Sequence, residues 1–232
     1  MVQFVKVSEL LEEPVTLRVC SSEASPIMCL RWQPYGTLSY LPEAGVTLDD
    51  SEFIEKASAV VELAIEGNYD LLLVPEYSFP HSVLGEIVGD KSKWPKPGAL
   101  WCLSAQGREL RAFLDELSEW KQSDVIVHEA KIGLERNYVC PLVYLFVDAT
   151  GERLNAIVQY KLHPSSDQWL LHEGAHLSTG SNVFLFDLSG PNTDCVNYFF
   201  SLICADILAL EPVSTIVVHS LSATYARIWS WS

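Results

Sequence analysis

PLVYLFVDATGERLNAIVQY, residues 141–160, decides the fold class. Pro141–Val147 and Leu154–Tyr160 read as two strands, joined by the loop Asp148-Ala149-Thr150-Gly151-Glu152 with glycine at its turn. Both arms are predominantly apolar and strand-sized, far short of a membrane span. Toward the N-terminus, Asp70–Val74 (DLLLV) is apolar after its first residue, the pattern of a strand covered on both faces. Further strands are expected at Ser25–Trp32, Asp124–His128, Val183–Leu188, Val196–Cys204 and Thr215–His219.

Two amphipathic helices lie among the early strands. Phe53, Ala57, Val60, Val61, Ala64 and Ile65 repeat at helical spacing, with Asp49 and Glu52 as a candidate capping box and Gly67-Asn68 as the stop. Leu103, Leu110, Phe113, Leu114, Leu117 and Trp120 form the apolar side of the second. Pro34, Gly36, Pro42 and Gly45 mark a loop, as does the Pro-, Lys- and Trp-rich stretch 91–98. The pattern predicts an α/β protein with a two-sheet core covered by helices. No linker or internal repeat divides the chain, so residues 1–232 are expected to form one domain, with 1–24 as an N-terminal extension.

Acidic residues outnumber basic ones 30 to 15, a formal charge of −15, which disfavours nucleic acid and anionic membranes as partners. With 49% apolar and 19% charged residues, the chain is not a disordered one. The N-terminal sequence shows no basic segment leading into an apolar one, so no signal peptide is expected. Six cysteines at 20, 29, 102, 140, 195 and 204 form no CxxC pair, which predicts a reduced, cytoplasmic protein.

Three polar residues stand at strand ends. Glu76 follows the DLLLV strand in LLLVPEYSFP, Lys161 ends the return arm of the hairpin in IVQYKLHPSS, and Cys204 ends NYFFSLIC. Taken singly, each has a plain reading: an exposed loop carboxylate, a lysine whose stem snorkels to water, a core thiol. The sharper reading makes Cys204 a nucleophile at a strand-to-helix turn, where backbone amides favour the thiolate.

PEYSFP, YKLHP and ICADI, in this order and each at a strand end, resemble the nitrilase or carbon–nitrogen hydrolase superfamily. RNYVCPLVYLFVDATGERLNAIVQYKLHP is similar to that family's hairpin leading to its lysine, and the resemblance runs from about Ser25 to Ser220. It implies an α-β-β-α sandwich and a small amide or nitrile substrate. It also implies Glu76 as general base, Cys204 as nucleophile, and Lys161 with the backbone N–H of Ala205 as oxyanion stabilisers, without a cofactor. A cation beside the carboxylate and thiol should keep Glu76 ionised and ease thiolate formation. EGAHLSTGSNVFLFD resembles the stretch after the family's second glutamate, which makes Glu173 the candidate and Asp167 the fallback.

Two features pull against this reading. His172-Glu173-Gly174-Ala175-His176 spells HExxH, which on a helix would place two imidazoles on one face for zinc, but Gly174 and Ser178-Thr179-Gly180 argue against a long helix. Family domains also continue well past the cysteine, whereas 28 residues follow Cys204 here. A C-terminally short relative would leave apolar surface for the Val2–Val19 segment, a second copy or a completing partner chain to cover. The non-catalytic alternative is a binding or partner-interaction module. His81 and His163 are assigned no chemical step, and Trp94 and Trp101 are expected to pack in the core.

Overall fold

The computed structural model describes residues 2–20, 26–121, 124–133, 136–165, 172–187, 198–204, 206, 217–220 and 225–229, and every structural statement below concerns these. In chain order they hold β1 (Gln3–Lys6), β2 (Cys29–Arg31), β3 (Thr37–Leu41), β4 (Gly45–Asp49), α1 (Phe53–Glu66), β5 (Leu71–Phe79) and α2 (His81–Gly89). Next come β6 (Leu100–Ala105), β7 (Arg108–Glu109), α3 (Leu110–Trp120), β8 (Val125–Glu129), β9 (Tyr138–Val139), β10 (Pro141–Val147) and β11 (Leu154–Tyr160). The last part holds α4 (Glu173–His176), β12 (Asn182–Asp187), β13 (Tyr198–Ser201), β14 (Val217–Ser220) and β15 (Tyr225–Trp229).

The protein is α/β. Six strands form one sheet in the order β2-β5-β6-β10-β11-β8, and five form another in the order β1-β12-β13-β15-β14. The β10–β11 hairpin falls where its sequence predicts, pairing antiparallel from Pro141 opposite Tyr160 to Val147 opposite Leu154. Every residue of both strands is buried, which explains why the arms are apolar rather than alternating. Gln159 is a polar exception. It donates from its amide to Ser201 O at 2.9 Å and accepts from Phe184 N at 3.2 Å, tying the six-stranded sheet to β13 and β12. Around that bridge the sheets meet through aromatic rings, with Tyr144 and Phe146 centroids 5.0 and 6.0 Å from Phe186.

α1 buries Phe53, Ala57, Val61 and Ala64, the residues whose spacing predicts it. Its start differs from the capping box expected at Asp49: Asp50 accepts from Glu52 N at 3.0 Å, and the Phe53 amide bonds Asp50 O. α3 begins at Leu110 because Glu109 caps it, accepting from the amides of Arg111 and Ala112. Leu103, expected on that helix, lies instead in fully buried β6, since a short apolar run fits either period.

Other departures have similar causes. The stretch read as a loop around Pro42 and Gly45 is the β3–β4 hairpin, whose turn needs Gly45 at φ 86°. α2 was not expected, and its nine residues carry two glycines and no side-chain cap. β1, from the expected N-terminal extension, pairs parallel with β12 and so forms an edge of the five-stranded sheet. β15, also unforeseen, lies between β13 and β14 in that sheet. Ser25, Leu188, Val196 and Thr215, at the limits of expected strands, lie outside the described residues. No described helix is long and apolar enough to cross a membrane.

Candidate functional site

Glu76 lies within β5, not after it. The pairing of β5 with β6 is regular from Leu71 to Val74, breaks, and resumes only at Phe79. Inside the break, Tyr77 has φ 57°, a conformation that costs a non-glycine residue about 1–2 kcal/mol. In a regular strand consecutive side chains point to opposite faces. Here both Glu76 and Tyr77 reach one buried cluster, because the left-handed residue turns the chain between them. Glu76 Oε1 stands 2.5 Å from Lys161 Nζ, and Tyr77 OH donates to Glu173 Oε1 at 2.6 Å.

Lys161 follows β11 and is fully buried, so its stem does not snorkel to water. Its backbone N–H bonds Cys140 O at 3.1 Å, and its carbonyl accepts from Gly180 N at 2.9 Å, fixing the chain on both sides. The ammonium meets Glu76 at 2.5 Å and Glu173 at 2.6 Å. Burial pulls its pKa down, but Glu76, Cys140 and Glu173 outweigh burial and hold it above the ordinary lysine value. Lys161 is a fixed cation.

Glu173 is buried without any exposure and takes three donors: the Tyr77 hydroxyl, the Lys161 ammonium and the backbone N–H of Ser165, each at 2.6 Å. That engagement decides against the HExxH reading. The helix is only Glu173–His176, and His172 precedes it at φ 51°. The two imidazoles flank Tyr40, their centroids 4.9 and 5.5 Å from its ring, while Glu173 points into the protein. Among the described residues no group of three or more His, Cys, Asp or Glu side chains could hold a metal ion.

Cys204 comes three residues after β13, at φ 47°, so it too is a strained non-glycine position. A nucleophile on a sharp turn beyond a strand is presented outward by that strain, and Cys204 is exposed. Its thiol lies close enough to Glu76 for each group to shift the pKa of the other. The thiol is not acidified, contrary to expectation. Desolvation raises its pKa, Glu76 raises it further, and Lys161 offsets only part of this. Glu76 is also raised, by burial first, with Lys161 opposing. The resting pair is therefore a protonated thiol beside a carboxylate more basic than usual. This suits a base that collects the thiol proton during attack, because raised carboxylate basicity narrows the gap between the two groups.

The structure thus brings Glu76, Lys161, Glu173 and Cys204 together. Ala205 and Asp167 lie outside the described residues. Trp94 and Trp101 are buried core residues. His81 Nε2 lies 3.0 Å from Gln106 O, and His163 Nδ1 lies 2.7 Å from Pro164 O, so each satisfies a local contact. Sequence reasoning missed Tyr77 and Asp206, although both sit inside the quoted motifs PEYSFP and ICADI. Asp206 is fully buried and accepts from Leu162 N at 2.7 Å, His163 N at 3.0 Å and Ile203 N at 3.1 Å.

No protein-family model matches the chain, and no curated protein or solved structure matches it either.

Proposed function

We propose that the protein is a carbon–nitrogen hydrolase that cleaves a small amide or nitrile through a Cys204 acyl-enzyme. The observation that carries this reading is an exposed thiol close enough to Glu76 for each to shift the other's pKa, with the Glu76 carboxylate held by a buried Lys161 that Glu173 grips from its other side. The two facing sheets, with α3 packed on β8 of the six-stranded one, fit one half of the α-β-β-α architecture that the sequence resemblance implies.

In the proposed reaction the Cys204 proton passes to Glu76 as sulfur bonds the amide carbon. The oxygen of that carbon becomes negative, and the Lys161 ammonium stabilises it. Collapse breaks the carbon–nitrogen bond, Glu76 returns the proton to the departing amine, and a thioester remains. Glu76 then takes a proton from water, which attacks the thioester, and the acid leaves as the thiol re-forms. A nitrile enters the same path through a thioimidate, which water converts with loss of ammonia. Because the thiol is protonated at rest, base assistance is integral to the step, typically worth about 10²–10⁴ in rate.

The test is intact-mass analysis of the protein after exposure to a panel of primary amides and nitriles, with ammonia release measured in parallel. An acyl adduct mapped to Cys204, and loss of both signals in Cys204→Ala, are the expected results. A folded wild-type protein that forms no adduct and releases no ammonia across the panel would sink the enzymatic reading in favour of a binding module. Turnover abolished by chelator but untouched by thiol alkylation would return the zinc reading instead.

A further inference from the structure

We infer that Asp206 is a positioning residue that clamps the Lys161 segment to the Cys204 turn, so that the ammonium and the thiol keep one fixed relation. The clamp is visible in its bonds. Oδ1 accepts from the backbone N–H groups of Leu162 and His163, the two residues directly after Lys161, at 2.7 and 3.0 Å. Oδ2 accepts from the N–H of Ile203, the residue directly before Cys204, at 3.1 Å. The Asp206 N–H closes the turn onto Ile203 O at 3.0 Å. One fully buried carboxylate therefore spans two segments that are more than forty residues apart in sequence.

The other ties stop short of the two residues: Gln159 joins β11 to Ser201, two residues before Lys161 and three before Cys204. Lys161 meets Glu76 and Glu173, but neither bond reaches the backbone beside Cys204. Cys204 itself holds a left-handed conformation that needs its surroundings to be over-determined. Two backbone segments with free N–H groups turned inward also need an acceptor, since an unpaired buried N–H costs about 1–3 kcal/mol. A carboxylate has acceptor capacity on both oxygens, whereas an amide accepts on only one. Asparagine at this position, whichever way its amide turns, must release either the Lys161 side or the Cys204 side.

The inference rests on the proposed roles of Lys161 and Cys204, but its test needs no turnover. Iodoacetamide alkylation of Cys204, followed by peptide mapping, reads the thiolate directly. Lys161 lowers the thiol pKa, so a lysine no longer held in register leaves less thiolate and slower alkylation. Loss of the Asp206 charge by itself would have the opposite sign. The full chain is compared as wild type, Asp206→Asn, Lys161→Gln and the double variant.

The expected result is a slowing of about ten-fold in Asp206→Asn against wild type, and less than about two-fold when the same change is made in Lys161→Gln. Equal factors in the two backgrounds would mean that Asp206 acts on the thiol without Lys161. An unchanged or faster rate in Asp206→Asn would mean that it supports the loop only; either result overturns the clamp. Asp206→Glu, which keeps two acceptor oxygens, should recover part of the rate, and it replaces Asn in the cycle with the same criteria if Asn does not fold. A silent amide panel with a positive cycle would refute the hydrolase and keep the clamp; the reverse pattern would do the opposite.

Discussion

Tyr77 and Glu173, 96 residues apart in sequence, are joined by a 2.6 Å hydrogen bond between a fully buried phenol and a fully buried carboxylate. Burial, followed by nearby anionic groups, raises the Tyr77 pKa well above its ordinary value, so the hydroxyl remains a donor at any working pH. The Lys161 ammonium lies 5.7 Å from the centre of the same ring. Tyr77 therefore fixes the carboxylate that fixes the lysine.

Tyr77→Phe removes one oxygen and leaves the ring. Glu173 keeps Lys161 and the Ser165 N–H but loses the donor on Oε1. The expected cost is about 1–3 kcal/mol, the range for leaving a buried partner unsatisfied, read by urea unfolding. Turnover of any accepted amide should fall through kcat more than through KM, because the loss acts on Lys161 and not on substrate contacts. Unchanged stability would show that water or another group replaces the hydroxyl.

Removal of the lysine should be far more damaging. Lys161→Met leaves Glu76 and Glu173 without the cation between them, and breaking one partner of a buried pair costs about 3–5 kcal/mol. The pH dependence has a definite sign. Lys161 lowers the Glu76 pKa, so its loss pushes Glu76 further up, and protonation then relieves the repulsion. The deficit in Tm relative to wild type should be larger at pH 8 than at pH 5. A deficit independent of pH would mean that packing, not charge, dominates the loss.

The hairpin over the site offers a backbone test. Gly45 has φ 86°, and a Cβ there would collide with the Tyr138 ring, which is tilted against Tyr40 with the centroids 5.8 Å apart. Gly45→Ala should therefore destabilise by more than the ~1 kcal/mol of an ordinary glycine replacement at positive φ. Thermal unfolding measures this. A Tm equal to wild type would show that the hairpin shifts freely over Tyr138.

How much of this could be read beforehand depends on the range of the interactions. β10 and β11 were legible almost to the residue because both strands are buried on both faces and the turn between them carries glycine. β3 and β4 were not, since Pro42 and Gly45, read as loop signals, are the hairpin's own turn punctuation. Leu103 fitted a helix only because a short apolar run has no period of its own. In the site, Glu76, Lys161 and Cys204 announced themselves by motif order. Glu173 was only a candidate, because nothing local shows that it reaches Lys161. Asp206 gave no signal: its three partners are backbone amides, which every residue but proline carries.

Asp206 supplies a final stability test. Burial, opposed by backbone hydrogen bonds, pushes its pKa up to about 7 from an ordinary 3.8. Between those values the folded protein binds a proton that the unfolded chain has released. The Asp206 contribution to stability then falls with rising pH across the window from about 4 to about 7, and levels off above it. Asp206→Asn has no such proton to lose. The difference in unfolding free energy, wild type minus variant, should therefore be most favourable to wild type near pH 4 and decline toward pH 7. Urea titrations at closely spaced pH values would measure it. A difference that grew with pH would mean that the three N–H bonds outweigh burial, and that the Asp206 carboxylate is held ionised throughout.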